Sequence, residues 1–94
     1  MRESIIEKHF VEAVAKAGGL QRKVEYLGRR GCPDRLVGFP NGRHALVELK
    51  RLRGRARDEQ VREHARLRAV GLDVRVLSSI EAVDAFVAEL TCAT

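Results

Sequence analysis

Aromatic side chains are scarce in this chain. Among 94 residues there is no tryptophan, one tyrosine and three phenylalanines, 4% in all. Successive bases of a single strand are held by stacking on such rings, so the scarcity argues against a base-stacking single-strand binder. Cysteine is scarce as well. Cys32 and Cys92 give neither a disulfide framework nor a zinc spacing, and a reducing cytoplasm is the simplest setting for them. Cys32 reads as a small buried residue rather than a nucleophile. His9, His44 and His64 are scattered, with no paired ligand spacing. No apolar run nears membrane-spanning length, no signal-peptide pattern opens the chain, and repeats, linkers and low-complexity tracts are absent. These absences leave one soluble globular domain, 1–94, long enough to bury a single core without staples.

Charge is what the chain has in excess. The net charge is +5 and the sequence pI is near 9.9, with arginine well ahead of lysine, a balance that favours a polyanionic partner. Placement says more than the sum. Gly28-Arg29-Arg30-Gly31 carries two adjacent arginines, and Arg51-Leu52-Arg53-Gly54-Arg55-Ala56-Arg57 is the most basic segment. Guanidinium groups bind phosphate bidentately. For Arg29 and Arg30 a phosphate contact and a solvated turn both stay open. Arg51, Arg53, Arg55 and Arg57 leave directly from the acidic motif described next, which favours contact with an incoming backbone phosphate.

That motif is Cys32-Pro33-Asp34, then a strand's length, then Val47-Glu48-Leu49-Lys50. Residues 34–39 and 43–49 are both β-rich, and Pro40-Asn41-Gly42 joins them as a hairpin. A two-residue type I′ loop on Asn-Gly would set Asp34 opposite Leu49 and leave Asp34 and Glu48 on different faces. A three-residue loop, a type I turn followed by a left-handed residue, prefers Pro first and Gly last. It pairs Phe39 with Arg43 and sets Asp34 opposite Glu48. Lys50 then shares their face, because side chains alternate along a strand. Opposed carboxylates repel unless something positive lies between them. A divalent cation suits the place, and hard oxygen ligands suit magnesium or manganese. The motif is thus a minimal recipe for metal-dependent phosphodiester cleavage.

The remaining pattern predicts the order α-β-β-β-α-β-α. A helix over 4–17 has Ser4 and Glu7 as a capping box, with Ile6, Phe10, Ala13, Val14 and Ala17 as its apolar stripe and Ile5 at the margin. Lys23–Leu27 reads as a short strand. In the hairpin, Leu36 and Leu46 face the acidic side; Val37, Phe39, Ala45, Val47 and Leu49 face the other. Strands apolar on both sides belong in the middle of a sheet covered by helices on each face. Asp58 caps a helix to Val70 closed by Gly71, with Val61, Ala65 and Leu67 as a modest apolar face and Gln60 and His64 turned toward the cleft. Asp73–Leu77 is the fourth strand. Ser78 and Glu81 form a second capping box before a helix striped by Ile80, Val83, Phe86, Val87 and Leu90. The fold class is α/β, a central mixed β-sheet flanked by helices.

Ser4-x-x-Glu7, Gly31-x-Pro33-Asp34, Val47-Glu48-Leu49-Lys50, Gln60 and Gly71 before a last strand, in that order over nearly the whole chain, resemble the VRR-NUC branch of the PD-(D/E)XK nucleases. The resemblance implies a restriction-endonuclease-like core and a stand-alone, phage or bacterial version of the domain, at work in the cytoplasm of a bacterial host. It implies a site built from Glu7, Asp34, Glu48, Lys50 and Gln60. On that basis Asp34 and Glu48 hold Mg²⁺ (Mn²⁺ substituting), with the Leu49 carbonyl as a further ligand. Glu7 acts directly, through water or on a second ion, or else serves only as the helix cap. Lys50 positions or deprotonates the attacking water, and Gln60 orients Lys50 or that water. Stand-alone members imply a homodimeric Holliday-junction resolvase acting on branched DNA, with no membrane and no small-molecule cofactor. A nuclease of flaps or other branches, or a basic module that binds nucleic acid without cutting it, stands as the alternative.

Overall fold

Apolar residues recur three or four positions apart from Ile6 to Val14, and the computed structural model, which describes residues 5–50 and 58–92, makes this stretch the helix α1, Ile5–Lys16. Ile6, Phe10 and Val14 are its buried face, and Ile5 is 79% exposed. Ser4, and with it the first capping box, lies outside the described residues. The other elements are β1 (Leu20–Lys23), β2 (Arg35–Gly38), β3 (His44–Leu49), α2 (Asp58–Ala69), β4 (Val74–Leu77) and α3 (Ile80–Leu90). The sheet runs β1-β2-β3-β4, antiparallel across its first three strands, with β4 parallel to β3. A parallel neighbour needs a crossover, and α2 lies within it. The sequence order and the mixed, helix-flanked sheet are as read. Among the described residues no helix is long and apolar enough to cross a membrane.

The hairpin takes the three-residue loop. Gly42 donates its N–H to Phe39 O at 2.9 Å, closing a type I turn on Pro40 and Asn41, and Gly42 itself sits at φ +89°. A side chain is strained there, so glycine fits. Phe39 N–H bonds Arg43 O at 2.9 Å, and the ladder below it pairs Val37 with Ala45 and Arg35 with Val47. Asn41 fixes the turn from both sides: Oδ1 accepts from Arg43 N–H, and Nδ2 donates to Leu90 O at the end of α3, each at 2.9 Å.

One face of the sheet carries the core. Val37, Phe39, Ala45, Val47 and Leu77 pack against α1 and against Val83, Phe86 and Leu90 of α3. Phe86 is its centre, with ring centroids 6.5 Å from Phe10 and 6.4 Å from Phe39. The Arg75 guanidinium lies 5.6 Å above the Phe86 ring and is held by Asp73 and Glu89.

The opposite face is not fully covered. Val74 is buried on the side of α2, but Leu36 and Val76 stay 45% and 42% exposed. A single helix shields only part of a four-stranded sheet, so covering helices on both sides hold for β3 and β4 more than for β1 and β2.

Three local readings shift. β1 is Leu20–Lys23 rather than 23–27, since its exposed edge residues carry no alternating apolar pattern to mark them. Ser79, not Ser78, caps α3, its hydroxyl accepting from Ala82 N–H at 3.0 Å, and the Ser78–Glu81 box does not form. In α2 the buried residues are Glu63 and His64, while Val61 is 54% exposed. That helix is seated by polar contacts, which an apolar-stripe argument cannot see.

Candidate active site

Register decides the centre of the site. Because 39 and 43 form a hydrogen-bonded pair, the pairing two strands' worth of residues further down alternates to place Asp34 opposite Glu48 at a non-hydrogen-bonded position, where facing side chains come closest. The two acids lock each other's backbone. Asp34 N–H donates to Glu48 Oε1 at 3.1 Å, and Leu49 N–H donates to Asp34 Oδ2 at 3.1 Å. Pro33 would face Leu49 in the same register, and proline has no N–H to donate to the Leu49 carbonyl.

Glu48 is 4% exposed, and a buried carboxylate needs partners. Its Oε2 accepts from the Gln60 amide at 2.8 Å and lies 3.2 Å from Lys50 Nζ, while Lys50 Nζ donates to Gln60 Oε1 at 2.7 Å. Glu48, Lys50 and Gln60 thus close a triangle between β3 and α2. Asp34 is less well served. Burial, and next the charge of Glu48, push its carboxyl above the usual carboxylate range, against the Leu49 N–H and the charges of Lys50 and Arg35. Beside this group opens a polar cleft of about 560 Å³ lined by Arg30, Gly31, Lys50, Glu59 and Gln60.

Glu7 is placed elsewhere. Its carboxylate pairs with the guanidinium of Arg35 and lies 3.9 Å from Lys23 Nζ. Both partners leave the sheet on the face opposite Asp34 and Glu48, by the alternation of the strands. Among the described residues no three His, Cys, Asp or Glu side chains gather as a metal-ligand group, so the acidic centre is a pair. Arg35 is the residue the sequence reading missed here. It is 4% exposed in a strand read as apolar on that side, and it ties Glu7 to Gln21 Oε1 at 2.6 Å.

A second missed pair seats α2. The Tyr26 hydroxyl donates to Glu63 Oε2 at 2.5 Å, and Arg66 donates through Nε to Glu63 Oε1 at 3.0 Å. Gly31, at φ +95°, passes so near that a Cβ there would lie 2.9 Å from Glu63 Cβ. This joint holds the loop leading to Asp34 against the helix that carries Gln60. Nothing local signals it, because the partners lie 37 positions apart. His64, one turn beyond Gln60, is 2% exposed, and its Nε2 has no partner among the described residues. Burial lowers the affinity of its imidazole for a proton.

The Glu63 joint has a pH consequence. Hydrogen bonding from Tyr26, and then from Arg66, holds the Glu63 carboxyl below its ordinary value. A carboxyl depressed in the fold contributes stability above its unfolded value, near 4.3, and loses it as pH falls through the lower folded value. In urea unfolding at pH about 7 and about 3, the midpoint of Glu63→Gln is expected to drop less than that of the parent. An equal drop in both proteins would contradict the joint.

Arg29 and Arg30 are exposed and lie 3.6 Å from Glu63 and Glu59 respectively. Arg51, Arg53, Arg55 and Arg57 fall outside the described residues.

With this geometry in hand, comparison with known proteins is informative. No family model matches the chain. "Putative nuclease p44" of Acyrthosiphon pisum secondary endosymbiont phage 1 is 51% identical over 79 residues, spanning 84% of this chain and 85% of the relative. A solved structure described as "VRR_NUC domain" superposes with a TM-score of 0.81 at 38% identity, over 87% of this chain and 89% of the other. The chain belongs to the VRR-NUC family. Its four-stranded mixed sheet with flanking helices is therefore the VRR-NUC nuclease fold, and the Asp34–Glu48 pair lies at the end of that fold's two central strands.

Proposed function

We propose that this VRR-NUC protein is a metal-dependent endonuclease that hydrolyses phosphodiester bonds in branched DNA. The observation that carries the reading is the facing pair Asp34 and Glu48, with Lys50 on the same side of the sheet and an Asp34 carboxyl disfavoured as an anion. A divalent cation relieves that situation. Two carboxylates, and a backbone carbonyl that Pro33 cannot serve, make a hard-oxygen donor set, so the residues fit Mg²⁺, with Mn²⁺ as a substitute.

Asp34, Glu48 and the Leu49 carbonyl would hold the ion. When bound, it lowers the pKa of a water and stabilises the charge that builds on the phosphoryl oxygens. Lys50 supplies a positive charge and a proton-handling amine beside that water. Gln60, bonded to both Lys50 and Glu48, fixes the amine and keeps it from collapsing wholly onto the carboxylate. Glu7 acts at one remove, by anchoring Arg35 next to Asp34. Arg29, Arg30 and the arginines of 51–57 grip flanking phosphates.

The finer reading is a Holliday-junction resolvase acting in the cytoplasm of a bacterial host. A four-way junction has twofold symmetry, so paired incisions need two sites related by a twofold axis, as in a C₂ homodimer. The edge strand β1 and the exposed Leu20 and Leu36 offer surface for that contact.

The test is incubation of the purified protein with labelled junction, flap and duplex DNA, with and without Mg²⁺. Cleavage that needs the ion and is strongest on the junction is expected. Binding without cutting under Mg²⁺ and Mn²⁺ alike would make the chain a non-catalytic binding module instead. Faster cutting of flaps would replace the resolvase assignment.

A further inference from the structure

Next to the active-site cleft lies a second, basic hollow of about 290 Å³, lined by Gly28, Arg29, Arg30, Glu59, Arg62 and Arg66. It shares Arg30 and Glu59 with the cleft, so the two are continuous. Arg62 and Arg66 stand one turn apart on α2 and therefore on one side of it; Arg29 and Arg30 close the hollow from the loop.

The floor of the hollow is built rather than incidental. Glu63 is 6% exposed, and one of its oxygens, Oε1, lies 3.0 Å from Arg66 Nε, 2.9 Å from Arg66 Nη2 and 3.6 Å from Arg29 Nη2. The other oxygen is occupied by the Tyr26 hydroxyl. A buried carboxylate thus holds two guanidiniums in place before any ligand arrives, which lowers the ordering cost of binding. Arg62 makes no ion pair among the described residues. Four arginines against Glu59 and Glu63 leave positive charge in excess. The exposed contacts of Arg29 and Arg30 at 3.6 Å belong to a class of surface pairs worth about 1 kcal/mol or less, so they are readily exchanged for a phosphate.

We propose that this hollow binds a backbone phosphate of the substrate strand, a short distance from the scissile bond, so that the strand leaves the cleft over Arg30 and runs along α2. This rests on the nuclease reading and adds to it the site on Arg62 and Arg66 and the direction of the strand. Glu63 is a positioning residue for it.

The experiment measures binding of a short labelled DNA duplex against salt concentration, in protein carrying Asp34→Ala so that no cutting interferes. Adding Arg62→Gln and Arg66→Gln is expected to weaken binding about tenfold and to shallow the log–log salt slope by about 0.9 for the phosphate released. Thermal melting confirms that the variant is folded. Should removal of Arg66 from Glu63 unfold it, Arg62→Gln alone is expected to shallow the slope in the same direction. An unchanged slope in a folded variant overturns the proposal. Failure of the parent to cut any DNA would overturn the nuclease reading alone, because this binding is read without turnover.

Discussion

Asp34→Ala is expected to lower Mg²⁺-dependent DNA cleavage by at least about a thousandfold, which is about 4 kcal/mol of barrier, while leaving DNA binding nearly intact. The carboxylate is one half of the only acidic pair that faces the cleft among the described residues, and the arginines that would meet phosphate lie apart from it. Its removal should not harm the fold. The Asp34 carboxyl is pushed above its usual range by burial and by Glu48. A group whose folded pKa is raised favours the fold below its unfolded value and opposes it once ionised. The hydrogen bond from Leu49 N–H is lost, which works the other way by about 1 kcal/mol. Melting of Asp34→Ala is therefore expected close to that of the parent without metal. Adding Mg²⁺ should raise the melting temperature of the parent by mass action and leave that of the variant unmoved. Loss of DNA binding in step with cleavage would sink the assignment, and so would an equal Mg²⁺ shift in both proteins.

Phe86→Ala is expected to have the largest effect on stability. The ring is 2% exposed and touches Phe10 and Phe39 on one side and the Arg75 guanidinium on the other. Truncating a buried phenylalanine costs about 3–5 kcal/mol, against about 5–15 kcal/mol for a whole domain. Each kcal/mol moves the melting temperature of a domain this size by about 4–8 °C, so a fall of about 15 °C or more is expected in calorimetry. A fall under about 5 °C would show that α3 is not the centre of the core.

The strength of the sequence as evidence differed from element to element. Hydrophobic spacing placed α1 and α3 because both bury an apolar stripe in one core, and their stripes are the buried residues. The same reasoning misjudged α2. Its apolar Val61 points to solvent and its Glu63 is buried, since a hydrogen bond to Tyr26 and ion pairs to arginines replace the apolar face. β1 escaped notice because an exposed edge strand needs no alternation. The cap of α3 was displaced by one residue, a distinction between Ser78 and Ser79 that only helix geometry settles.

By itself the sequence determined which two strands meet and in what register. Pro40-Asn41-Gly42 permits one loop length without strain, and a turn's length fixes every pairing beyond it, including that of Asp34 with Glu48. What only the tertiary structure decided is which distant groups those acids would live among. Gln60 bridges Glu48 and Lys50, Glu63 holds Tyr26 and two arginines, and Arg35 draws Glu7 to the far side of the sheet. Such contacts join residues that share no local period. They are chosen by the packing of whole elements against each other, where each buried charge takes the partner within its reach.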